Sequence, residues 1–222
     1  ALPNVNKNYG KSRGKKVPQQ CELLIVSKHR SVEQIQAYYD QGARNFGENR
    51  VQELLQKAPQ LPQDIRWNFI GHLQRNKVRA VMPYISRLCS LDSLVLAAAV
   101  EKEAARLNRT LGVLVEFNLA EESSKTGLAK QEAAAFFQAL QQYEHLTPEG
   151  IMVMGPHVDD EAAIAAVFHE ARALFEELKA QWGGEHFTVC SMGMSHDYPI
   201  ALREGSTQLR LGTILFEDPS SI

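Results

Sequence analysis

Residues 23–46, LLIVSKHRSVEQIQAYYDQGARNF, read as one strand–helix–strand unit. Leu23 to Val26 is an unbroken apolar run, the mark of a strand buried on both faces. Ser31 opens a helix, Gln34 three residues on completes a capping box, and Gly42 ends it. Ala43 to Phe46 then reads as a second short strand.

The alternation continues in both character and spacing. A helix is expected around Val51 to Gln56, a strand over Trp67 to Ile70, a helix from about Asn76, and a strand over Ile85 to Cys89. Asp92 is expected to cap a helix reaching Leu107, followed by a strand over Leu111 to Phe117 and a helix from Gln131 to Tyr143. Ile151 to Met154 reads as a sixth strand. Ile164, Val167, Phe168, Ala171, Leu174, Phe175 and Leu178 then repeat at three- and four-residue steps, with Asp159 and Asp160 where a helix N-terminus favours negative charge. Phe187 to Cys190, a short helix over Tyr198 to Arg203, and Gln208 to Leu211 complete the series. Each parallel crossover needs a helix, so eight alternations predict an α/β fold, a single (β/α)8 TIM barrel. An open doubly wound sheet is the alternative, weakened because no Gly-x-Gly-x-x-Gly follows any strand. Residues 21–222 are expected to form one domain; residues 1–20 are polar, weakly periodic and assigned no structure.

Composition narrows the classes of function. The 222 residues are 44% hydrophobic and 23% charged, with a formal net charge of -2. That balance belongs to an ordinary globular protein and offers no broad attraction for nucleic acid or acidic membrane. The one basic cluster, Lys11 to Lys16, reads as a solvated or frayed terminus. Cys21, Cys89 and Cys190 are far apart and lack metal-ligand spacing, so they are expected to be reduced thiols with no metal bound. No apolar run reaches the ~20 residues that span a bilayer, and residues 1–16 lack the apolar core of a signal peptide. The expectation is a cytoplasmic monomer.

Barrel active sites lie at the C-terminal ends of the strands, and phosphate binds mostly after strands seven and eight. Strand one runs into Ser27-Lys28-His29, strand two into Gly47-Glu48-Asn49, strand seven into Gly193-Met194-Ser195, and strand eight carries Arg210 and ends at Gly212-Thr213. Glycines admit an anion to backbone N–H groups, and Ser195 and Thr213 add hydroxyl donors. Taken singly, these are also ordinary turn residues and helix caps. Lys28, at a barrel mouth, is a candidate amine nucleophile or an ordinary lysine past a strand end. Arg210 faces away from Leu209 and Leu211 and, if buried, needs an acceptor from a ligand or from a structural carboxylate.

LLIVSKH (23–29), FGENRVQE (46–53), WNFIGHLQRNKVR (67–79), NLAEESSKTGL (118–128) and SMGMSHDYPIALREGSTQLRLGTILF (191–216) resemble, in order, the pyridoxal-phosphate homeostasis proteins. These are single-barrel relatives of the alanine racemase N-terminal domain, of the third fold type of pyridoxal-phosphate proteins. The resemblance implies pyridoxal 5′-phosphate held as a Schiff base on Lys28 and Asn49 beside the pyridine ring. It further implies Ser195, Gly212 and Thr213 around the phosphate, Met194 adjoining them, and Arg210 facing the ring nitrogen. The sequence departs from the family at Glu217, where glycine is usual, and in lacking a recognisable N-terminal helix before Cys21.

An arginine at the ring nitrogen disfavours its protonation and weakens the ring as an electron sink. Racemase relatives draw a second base, a tyrosine, from another domain. Tyr38, Tyr39, Tyr84, Tyr143 and Tyr198 fall in expected helices or at strand starts, and nine residues follow Thr213. The resemblance therefore implies binding, buffering or delivery of the cofactor, with apo-enzymes as transient partners, and no established catalytic residue. The alternatives are a racemase or decarboxylase of the same fold, and a phosphosugar barrel enzyme. Lys125, in the SSKTG loop, is either a secondary cofactor contact or a solvated lysine.

Overall fold

A computed structural model describes residues 21–120, 122 and 126–217; Lys125 and the first twenty residues lie outside them. Eight strands, β1 (Glu22–Val26), β2 (Asn45–Glu48), β3 (Arg66–Phe69), β4 (Ile85–Leu91), β5 (Leu111–Phe117), β6 (Leu146–Val153), β7 (Val189–Ser191) and β8 (Gln208–Leu211), pair in sequence order and close into a barrel. Every pairing is parallel, and β1 meets β8 with Leu24 opposite Arg210. Helices follow the strands: α1 (Val32–Asp40), α2 (Val51–Lys57), α3 (Val78–Val81), α4 (Leu94–Arg106), α5 (Ala133–Leu140), α6 (Glu161–Trp182), α7 (Tyr198–Arg203) and α8 (Thr213–Phe216).

Strand alternation divides the side chains between two environments. The outward faces and the helices form one large core, which includes Ile25, Phe46, Trp67, Phe69, Phe137, Phe168, Phe175, Phe187, Leu209 and Leu211. Inside the barrel, Cys89, Leu114, Met152 and Val189 make a small apolar layer against Ile70. Below it lies a polar layer: Arg87 Nε donates to Glu149 at 2.6 Å, Arg87 Nη1 stands 3.5 Å from Glu22, and Gln208 Nε2 donates to Glu22 at 2.9 Å. Gly112 leaves room for the Glu149 carboxylate, which would lie 2.3 Å from a Cβ there.

The capping box on α1 forms as expected, with Gln34 N–H donating to Ser31 Oγ and Ser31 N–H to Gln34 Oε1. Asp160 caps α6 by accepting from Ala162 N–H at 2.9 Å. Other boundaries move. The second strand starts at Asn45 rather than Ala43, because Ala43 N–H still bonds the α1 carbonyl of Tyr38. Ser93, not Asp92, caps α4, accepting from Leu96 N–H. The sixth strand begins at Leu146, five residues before the apolar run at Ile151. Pro148 and Gly150 hide that first half from a hydrophobicity reading, and the register with β5 shifts between Val113 and Leu114. The seventh strand is shorter than expected. It shares one registered pair, Ser191 with Gln208, with β8. Hydroxyls stitch this seam: Cys190 N–H donates to Thr207 Oγ1 at 2.8 Å, and Ser206 Oγ donates to the Met192 carbonyl at 2.7 Å.

Gly150 sits at φ +152°, where a Cβ would fall 1.7 Å from the Val189 carbonyl oxygen. Gly150→Ala is expected to cost more than about 3 kcal/mol, since strained backbone and a β6–β7 clash combine. Gly184→Ala, with nothing within 4 Å of its Cβ, should change stability by less than about 0.5 kcal/mol. Urea unfolding of both variants checks the contrast; equal effects would contradict it.

Candidate functional site

Closure of the barrel brings the C-terminal ends of β1 and β8 side by side at one rim. Ser27 N–H continues the β1–β2 ladder by donating to the Gly47 carbonyl, and β1 then leaves the sheet in a turn closed by Arg30 N–H on the Ser27 carbonyl at 3.0 Å. Lys28 is half-buried at the first corner of that turn. On the other side of the seam, Gly212 packs against Val26: a Cβ there would meet the Val26 carbonyl at 3.0 Å and the Val26 Cβ at 3.2 Å. The loop after β8 therefore approaches the strand that ends at Lys28.

The loop after β7 meets the same rim. Gly193 takes φ +102°, which a side chain would strain, and Asp197 Oδ1 accepts from Met194 N–H at 2.7 Å to hold the following turn. Ser195 Oγ accepts from Ile214 N–H at 3.4 Å, tying this loop to the first turn of α8. Ser195, Met194, Gly212 and Thr213 thus come together. The N–H groups of Ser195, His196 and Thr213 have no acceptor among the described residues. Such a set of unbonded N–H groups and hydroxyls suits an anion.

Arg210 is 3% exposed and points into the barrel while Leu209 and Leu211 enter the outer core. Its Nη1 donates to Ser191 Oγ at 2.7 Å and its Nη2 to the Val153 carbonyl at 3.1 Å. Among the described residues no carboxylate lies within ion-pair distance of it; Glu116 and Asp197 act on its charge from farther off. Two of its five N–H donors are engaged, and the remaining ones await an acceptor. Asn49 follows β2, and its buried Oδ1 has no hydrogen-bond partner among the described residues. Gly71 lets the chain pass there, since a Cβ would sit 2.1 Å from the Asn49 carbonyl. These unsatisfied groups, an anion cradle, an inward arginine and a side-chain carbonyl at one mouth, fit a phosphorylated aromatic aldehyde with a ring nitrogen.

Several groups at this end escaped the sequence reading. Glu116, on β5, is 2% exposed and accepts from Thr126 Oγ1 at 3.1 Å. Burial pushes its carboxyl up to about 7, despite the Thr126 hydrogen bond. Its interruption of an apolar strand was the available signal. Lys57, Glu48 and Glu53 also reach the rim. Lys57 Nζ donates to Glu48 Oε1 at 2.7 Å, to Glu53 Oε2 at 2.7 Å and to the Ser27 carbonyl at 2.8 Å. In sequence, Glu53 and Lys57 look like a solvated pair one helical turn apart. The cysteines are free thiols; burial pushes Cys89 and Cys190 up to about 12 and Cys21 to about 11. The described residues hold no cluster suited to a metal ion.

The family model of the alanine racemase N-terminal domain matches residues 2–219. A pyridoxal phosphate homeostasis protein of Helicobacter pylori is 38% identical over 200 residues, 89% of this chain and 87% of its own length. The structure of PipY from Synechococcus elongatus without PLP superposes with a TM-score of 0.86 at 34% identity, covering 90% of this chain and 94% of PipY. The same protein with PLP bound gives 0.82 over the same shares. A closed eight-stranded parallel barrel, a family match over nearly its whole length and relatives above 30% identity lead to one assignment: the chain belongs to the pyridoxal phosphate homeostasis protein family, on the alanine racemase N-terminal-domain fold.

Proposed function

We propose that this protein holds pyridoxal 5′-phosphate at the barrel mouth, with Lys28 as covalent anchor, and stores or delivers the cofactor without turning over amino acids. The observation that carries this reading is the convergence of Lys28, the inward Arg210 and the Ser195–Thr213 loops on one rim, each with unspent hydrogen-bonding capacity. The bound state of a homologue with 34% identity supports it further. When bound, the cofactor supplies an aldehyde carbon to which an amine can attach.

In this reading Lys28 provides the amine. Ser195 and Thr213, with the N–H groups of the two loops, hold the phosphate, and Gly212 keeps the approach free of a side chain. Met194 lines the cradle without lending its N–H, which is bonded to Asp197. Asn49 offers its side chain beside the ring. Arg210 keeps its charge at any accessible pH, so an aromatic nitrogen facing it accepts a hydrogen bond and resists a proton. That arrangement favours holding the cofactor over carbanion chemistry. Free thiols support a cytoplasmic location, and no helix among the described residues is long and apolar enough to cross a membrane. Apo-enzymes that need the cofactor are the transient partners, and the protein acts as a monomer.

Purified protein mixed with pyridoxal 5′-phosphate should develop a visible absorption band that borohydride abolishes while fixing the ligand to a peptide containing Lys28. Lys28→Ala should lose the band and keep its circular dichroism; a retained band would move the anchor elsewhere.

Ser195→Ala and Thr213→Ala should each weaken retention by roughly 1–3 kcal/mol, the scale of a hydrogen bond to a charged group. Pyridoxal lacking the phosphate should bind far more weakly in equilibrium dialysis. Equal affinity for pyridoxal and its phosphate would refute the cradle.

Arg210→Glu, once shown by circular dichroism to be folded, should let the ring nitrogen hold a proton. It should then exchange the α-proton of alanine in deuterated water faster than the parent protein measured alongside. A ring nitrogen that titrates alike in both loaded proteins would separate Arg210 from it.

A further inference from the structure

The turn that presents Lys28 is held from outside the barrel wall by a buried ion cluster. Along β1, Leu24 faces the interior, where it lies against Gly47, and Ile25 faces the helices. The alternation carries Ser27 outward, and Ser27 Oγ accordingly donates to Glu48 Oε1 at 2.9 Å. Lys28 falls on the interior side. The chain then reverses through His29 at φ +60°, a left-handed conformation that turns of this shape usually give to glycine or asparagine. His29 stays there because Glu53 holds it twice: its N–H donates to Oε2 at 2.8 Å, and its Nδ1 stands 3.4 Å from Oε1.

Glu53 is fixed in turn by Lys57, whose three N–H donors are all committed, to Ser27, Glu48 and Glu53. The neighbours of Lys28 on both sides are thereby bound to one ammonium group. Lys57 is 7% exposed and Glu48 fully buried, with Glu48 Oε2 lacking a hydrogen-bond partner. Burying such a cluster adds little to stability compared with apolar residues of the same volume. Its geometry, by contrast, fixes both flanks of a single functional side chain.

We infer that Lys57, acting through Glu48 and Glu53, is a positioning residue that sets the direction of the Lys28 amine before a ligand arrives. This rests on the reading of Lys28 as the covalent anchor. An amine displaced by even ~1 Å loses much of the advantage of a fixed approach to a carbonyl.

The test compares pyridoxal 5′-phosphate with pyridoxine 5′-phosphate, which has the same ring and phosphate but no aldehyde. Lys57→Met should weaken apparent affinity for pyridoxal 5′-phosphate about tenfold or more and slow the rise of the visible band. Its affinity for pyridoxine 5′-phosphate should change less than about twofold. Equal losses for both ligands would show a merely structural role, and unchanged binding of both would remove the role altogether; either result overturns the inference. If Lys57→Met fails to fold, Glu53→Ala releases His29 while leaving the Lys57–Glu48 pair intact, and the same split between ligands is expected. Lys28→Ala run alongside keeps the two readings apart. A band that survives in Lys28→Ala sinks the anchor itself, whereas a band lost there but normal in Lys57→Met and Glu53→Ala sinks only the positioning role.

Discussion

The pairing of β8 with β1 is the constraint on which everything else depends. It sets Leu24 beside Arg210 and Ile25 beside Leu211. That register decides which residues at the rim are neighbours, although nearly two hundred positions of sequence separate them. Lys28 and Thr213 share a mouth because the sheet closes, and Gly212 permits the approach because it has no side chain to set against Val26. A one-residue slip at this seam would turn Arg210 into the helix layer and bring two leucines inside.

Alternation does the rest of the sorting. The outer faces of the strands meet helices and are largely apolar, with buried Glu48 of β2 an exception. The inner face is mostly polar at both ends, with a thin apolar layer of Cys89, Leu114, Met152 and Val189 between. The lower layer is cross-linked through Arg87, Glu149, Glu22 and Gln208, and leaves only Gln208 Oε1 without a hydrogen-bond partner among the described residues. The upper layer is less closed: Asn49 Oδ1 has no hydrogen-bond partner among the described residues, and two of the five Arg210 donors are engaged. The two ends thus divide into a closed floor and an open site.

Local signals made much of this legible in the sequence. The capping box at Ser31, the glycine at the end of α1 and the helical stripe from Ile164 to Leu178 each lie within a few residues, and each appears in the structure. Lys28, Ser195 and Arg210 could be singled out because they follow or interrupt apolar strands. The first half of β6 could not, because Pro148 and Gly150 mimic a loop while the pairing with β5 continues through them. Lys57 was invisible for a different reason. Its partner four residues back suggests a solvated pair, and only the docking of α2 against the ends of β1 and β2 buries it.

Under the proposed function, the unspent donors at the upper rim would tie the folding of this protein to the supply of its ligand. With two of its five donors bonded to the protein, the buried guanidinium would be stabilised by a ligand that supplies an acceptor. By mass action, a ligand at a hundred times its dissociation constant adds about 2.7 kcal/mol to the folded state. Against typical domain stabilities of about 5–15 kcal/mol, that is a large share. Chains left empty would then unfold more often and meet proteases sooner, so the abundance of such a carrier would follow the concentration of its ligand.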